Sequence, residues 1–147
     1  MSAVTATRSQ SPVRHWIVAA GVAGIAWNLF GAYQFVGSAT ATVQDLVAAG
    51  LTQHQAEVMT SYPFWMTISF AVGVFGGLAG SLLLALKHAY ATPVLAVSLA
   101  AYVALWIGDA VNGVFAAMGT PQIVIITVVV AIAAALLTIS RLPATKA

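Results

Sequence analysis

The chain has 147 residues, 61% of them hydrophobic and only 5% charged, with five Lys and Arg against three Asp and Glu. A soluble protein of this size cannot hide so much apolar surface in one small core, and ordinary globular domains are about 25% charged, so the composition points to an integral membrane protein. The five bases are spread over three segments, which suits contact with anionic lipid headgroups and leaves no basic patch for nucleic acid; without cysteine there is no disulfide framework, thiolate nucleophile or thiolate metal site.

Four apolar runs follow one another, about residues 16–36, 63–86, 93–116 and 121–140. Each has roughly 20 residues or more, enough to cross about 30 Å of hydrocarbon as a helix. Arg8 and Arg14 precede the first run, Lys87 lies between the second and third, and Arg141 and Lys146 follow the fourth. The opposite connections hold only Asp45 and Glu57. Cytoplasmic loops are enriched in Lys and Arg, so both termini and the Lys87 link are expected in the cytoplasm. Short links make antiparallel neighbours. The expected fold is all-α, one membrane domain over residues 1–147, an up-down four-helix bundle.

The first run also has features of a signal peptide, a basic start and the small-x-small triplet Ala39-Thr40-Ala41. Its apolar stretch is longer than the 7–15 residues of a signal, and it contains Asn28 and Gln34, which favours a retained helix. Gly24 and Gly31, with Gly21, give this helix a small face.

Residues 38–62 form the one sizeable outer segment. Thr42 to Ala49 reads as a short helix ended by Gly50, and Thr52 with Gln55 has capping-box spacing for a second one through about Met59. Their apolar residues suit a lid packed on its own protein, with partner docking or solute gating as the alternative. His54 and Glu57 are too few for a metal site and read as solvent-exposed.

In the second run, Gly73 with Gly77 and Gly76 with Gly80 form two overlapping small-xxx-small pairs. Such a strip lets another helix approach closely, either within one subunit or at an interface with a second copy or a membrane-protein partner. Ser61 and Tyr62 lead into Pro63, while Thr92-Pro93 and Thr120-Pro121 offer N-cap hydroxyls followed by proline at the first helical position.

The remaining polar residues are the candidates for chemistry. Asp109 and Asn112 lie toward the outer end of the third run, and Asn28 should stand at similar depth in the first. Tyr102, Trp106 and Asp109 share one helix face. An inward cluster of Asn28, Asp109 and Asn112, ringed by Trp27, Trp106 and Tyr102, is the expected polar site. An intramembrane acid is a functional candidate by default, and no base lies within the runs to pair with it. It either holds its proton or is reached by water from the outer face; the structural alternative is a hydrogen bond to Asn28 or Asn112 that fixes helix register. No catalytic constellation, metal site or cofactor motif is evident, so an enzyme is not expected.

Trp27-Asn28-Leu29-Phe30-Gly31, Tyr62-Pro63-Phe64-Trp65, the run from Val74 through Gly80-Ser81 to Leu84, and Ala91-Thr92-Pro93-Val94 on to Ser98-Leu99 together resemble a family of small four-helix bacterial membrane proteins. Its members are often labelled "sugar transporter" or hypothetical membrane protein. The resemblance covers most of the chain and implies the four-helix fold; the label implies transport. Members often have an Asp-Tyr pair where Gln34-Phe35 stands here, which removes one acid that transport could use. Two readings follow: an accessory or scaffolding protein of a bacterial inner membrane acting through helix packing, or an oligomeric small-solute carrier or efflux protein with its site around Asn28 and Asp109.

Overall fold

The computed structural model describes residues 12–143; Arg8 and Lys146 lie outside them. Among the described residues there are seven helices and no strand: α1 Pro12–Thr40, α2 Val43–Ala48, α3 Gln53–Thr60, α4 Phe64–Ala85, α5 Ala91–Val111, α6 Val114–Met118 and α7 Thr120–Ser140. Four of them, α1, α4, α5 and α7, are long and apolar enough to cross a membrane. α4 packs between α1 and α5, α5 packs on α7, and α7 meets α1 more sparingly. The short helices α2, α3 and α6 gather at one end, called here the loop end. The other end carries the α4–α5 link and is called the terminal end.

Small residues set how closely the long helices approach. On the α1–α4 seam a Cβ at Gly21 would stand 2.6 Å from the Ala85 backbone nitrogen, one at Gly24 would press on Ser81, and one at Gly77 would overlap the Asn28 carboxamide. Toward α5, a Cβ at Gly73 would meet the Tyr102 ring at 2.7 Å and one at Gly80 would meet Leu95 at 2.6 Å. Gly31 and Gly76 make looser contacts with Val74 and Ser98. The Gly73–Gly80 strip is therefore occupied within the chain, Gly77 facing α1 and the other three facing α5. Gly108 does the same for α4, receiving Trp65 and Met66.

The core stacks in three apolar layers. Met66, Leu105 and Ile126 lie toward the loop end, Val74, Tyr102 and Ala133 at the middle, and Ile17, Leu84, Leu95 and Leu136 toward the terminal end. Large apolar side chains remain exposed on the outer helix faces, among them Phe30, Leu82, Val97 and Ile125.

Local signals are realised in the loop-end helices. Thr42 and Asp45 form a capping box on α2, and Thr52 and Gln55 form one on α3. Gly50 takes φ +105° just after α2. α3 buries Ala56 and ties to α6 through Gln55 Nε2, which donates to the Ala117 carbonyl at 3.1 Å, so this segment packs on its own chain. Glu57 accepts a hydrogen bond from Gln53, and His54 is exposed. Thr52→Ala should cost about 1 kcal/mol of local helix stability, seen as faster hydrogen exchange of α3 amides beside unchanged α4 amides. The Thr42 hydrogen bonds hold the Asp45 carboxyl below its usual range. That support is present above the ordinary carboxylate range and is lost only as pH falls through the lowered value, so α2 should loosen only in strong acid.

Several boundaries differ from the sequence expectation. α1 extends beyond 16–36 at both ends. The third apolar run does not continue to 116: α5 stops at Val111, Gly113 takes φ +78°, and α6 is a separate turn. Thr92 does not cap α5, which begins at Ala91; its hydroxyl instead donates to the Ser140 carbonyl at 3.1 Å and joins α5 to α7. Thr120 is the first residue of α7 and Gly119 holds the cap position, whereas Pro63 stands at the cap of α4. At the α4–α5 link Lys87 takes φ 54°, with the His88 and Lys87 amides bonded to the Leu83 and Leu84 carbonyls. That pattern is a Schellman motif with lysine in the position glycine usually fills.

Candidate functional site

Asp109 lies in the last turn of α5 and is 1% exposed. Two neutral donors hold its carboxylate. Tyr62, from the α3–α4 link, donates its hydroxyl to Oδ1 at 3.2 Å, and Gln122, in the first turn of α7, donates Nε2 to Oδ2 at 2.9 Å. Pro63 and Pro121 mark the starts of α4 and α7 at the loop end, which puts the residue beside each proline level with the end of α5. One carboxylate thereby ties three segments together. Burial and then the adjacent Asp109 charge push the Tyr62 hydroxyl above its ordinary range, so it stays a proton donor at neutral pH.

These three groups line a cavity of about 230 Å³ between α1 and α7. From α1 come Trp27, Phe30, Gln34 and Ser38, joined by Met59 of α3, Phe70 of α4 and Tyr102 of α5. Asp109 is the one charged residue among the lining side chains. The middle apolar layer borders the cavity on its terminal-end side through Val74 and Tyr102.

The expected polar cluster is distributed rather than joined. Asn28 is buried, donates Nδ2 to the Gly24 carbonyl at 2.8 Å, and accepts a long 3.5 Å hydrogen bond from the Tyr102 hydroxyl. It stands level with Gly77 and Tyr102, about two helical turns deeper than Asp109. The shared depth expected for Asn28 and Asp109 does not hold, because α1 runs on to Thr40 while α5 ends soon after Asp109. Neither Asn28 nor Asn112 bonds Asp109. Asn112 is the C-cap of α5, exposed, with Nδ2 on the Gly108 carbonyl at 2.9 Å and near Met66 Sδ. Trp106 leaves the site: its indole N–H donates to Thr127 at 3.0 Å and its ring packs edge-on against Phe115. Tyr102 and Trp27 do line the cavity. Tyr62, Gln122 and Gln34 were not expected there.

Among the described residues no three His, Asp or Glu side chains come together as a metal site would need. The lining offers recognition chemistry: one carboxylate, the amides of Gln34 and Gln122, and the hydroxyls of Ser38, Tyr62 and Tyr102 among aromatic walls. No protein family, curated protein or solved structure matches the chain.

Proposed function

We propose that the chain spans a bacterial inner membrane four times as an up-down bundle and binds a small solute in the Asp109 cavity, as a carrier or efflux protein does. The exposed apolar faces suit lipid. Exposed aromatic residues stand at both ends of the long helices, Phe64 and Trp65 at the loop end and Trp16 and Tyr90 at the terminal end, as in interfacial belts. Arg14, Lys87 and Arg141 sit at the terminal end, and Asp45 and Glu57 at the loop end, which orients the terminal end to the cytoplasm and the cavity outward.

The observation that carries solute binding is the convergence of Asp109, Tyr62 and Gln122 on one cavity. A carboxylate placed near the membrane is costly, and here it is buried, held by two neutral donors and part of a cavity lining. The resemblance to proteins labelled sugar transporters points the same way. The accessory reading leaned on the Gly73–Gly80 strip as a contact surface, and those glycines are already in contact with α1 and α5.

Because the chain has no cysteine, a single Gln34→Cys substitution places one thiol in the cavity wall. With the protein in vesicles, a panel of sugars, amino acids and amines is tested for slowing of thiol labelling. At least one class should slow it saturably, and Asp109→Asn should remove the effect. Labelling that no solute changes would leave the accessory reading in its place.

A further inference from the structure

We infer that the Asp109 cavity takes an organic monocation with an apolar tail, the tail lying in the seam between α1 and α7; this rests on the solute-binding reading above.

The charge of the site comes first. Asp109 is the one charged group in the lining, and its two partners, Tyr62 and Gln122, are neutral donors. The carboxyl group thus has hydrogen-bond donors but no cationic partner among the lining residues. A cationic group completes the pairing, whereas an anionic one meets repulsion in a setting of low dielectric. The walls agree with this. Trp27, Phe30, Tyr62, Phe70 and Tyr102 are aromatic, and ammonium groups are attracted to aromatic faces.

Size and shape supply the tail. At about 230 Å³ the cavity is smaller than sites that enclose whole drug-sized ligands, so it suits a head group. Trp27 also lines a second, almost wholly apolar groove of about 360 Å³ that continues along the same seam between Ala20, Ala23, Ile132 and Ile139. Trp27 lines both spaces. An ammonium head at Asp109 can lay an alkyl chain past Trp27 toward this groove.

The test uses the Gln34→Cys protein in phosphatidylcholine vesicles and an uncharged, impermeant maleimide. Dodecyltrimethylammonium is compared with dodecyl sulfate and uncharged 1-dodecylglycerol, which share its chain and its tendency to enter the bilayer. The cation should slow labelling saturably and the other two should not. Asp109→Asn should raise the concentration needed by about tenfold or more, with Asp109→Glu retaining most of the protection. Trp27→Leu, which leaves the carboxylate in place, should weaken protection by about threefold; this second variant keeps the test open if Asp109→Asn misfolds. Equal protection by the uncharged amphiphile, or cation protection indifferent to both Asp109→Asn and Trp27→Leu, overturns the cation assignment while solute binding stands. A Gln34→Cys thiol that never reacts overturns both, because the cavity is then closed to the outer side.

Discussion

Leucine at position 21 forces α1 away from α4 and destabilises the protein by about 3 kcal/mol or more. The neighbour that a Gly21 side chain meets is the Ala85 backbone, at 2.6 Å for the first carbon alone. A side chain can change rotamer to yield space, but a helix backbone moves only with the whole helix. Displacing α1 also opens the contacts one, two and three turns along, where Gly24 meets Ser81, Asn28 meets Gly77 and Gly31 meets Val74. In the membrane setting proposed above, association of these helices depends on such close packing, since lipid tails are as apolar as the helix surfaces. Unfolding by dodecyl sulfate from mild-detergent micelles measures the loss. Gly37→Leu is the matched control, because a Cβ there meets nothing within 4 Å. Gly21→Leu should unfold at a clearly lower denaturant fraction and Gly37→Leu with the wild type. Coincident curves for all three would mean that the α1–α4 seam does not hold the fold.

The second large effect belongs to Asp109. Asp109→Ala removes the acceptor for both Tyr62 and Gln122 and releases the α3–α4 link and the start of α7 from α5. A hydrogen bond to a charged acceptor contributes about 1.5–3 kcal/mol. Both donors line a cavity, where part of each lost hydrogen bond can be replaced by solvent, so the combined loss should be about 1–2 kcal/mol. Asp109→Asn keeps one acceptor oxygen and should cost less than Asp109→Ala, while removing solute protection of the Gln34→Cys thiol. The separation of stability from binding is the informative result. Asn112→Ala should leave protection intact, because Asn112 caps α5 on the Gly108 carbonyl away from the cavity lining. Loss of protection in Asn112→Ala, but not in Asp109→Asn, would move the site.

Local features of the fold were legible where a few neighbouring residues decide them. The Thr42–Asp45 and Thr52–Gln55 boxes form as their spacing implies, since a capping box needs nothing beyond four consecutive residues. The four long helices follow from sustained apolarity alone. The break after α5 was hidden because Val114 to Ala117 keep the hydropathy high across it. The Asn112-Gly113 pair carries the turn signal that marks the left-handed step.

Pairing between distant residues was less readable. Nothing in the spacing of Gly73, Gly76, Gly77 and Gly80 says that one of them faces α1 and three face α5; that follows from where α4 lies between its neighbours. Asp109 stood out as a charge within an apolar run. Its partners did not, because Tyr62 and Gln122 are unremarkable in composition and reach it only once three helix ends meet. Each sits beside a proline that starts a long helix, and that position was the available clue. Trp106 shared the helix spacing of Tyr102 and Asp109, yet its bulk turns toward Thr127 and Phe115.

The most direct test of a membrane-spanning protein with an outward cavity is sided thiol labelling in intact cells. Single cysteines at Gln34, Gln44 and His88 are exposed to an impermeant maleimide before and after permeabilisation. Gln34→Cys and Gln44→Cys should react in intact cells, and His88→Cys only once the membrane is opened. Reaction of His88→Cys and Gln44→Cys from the same side, or a Gln34→Cys thiol silent under both conditions, would contradict the account.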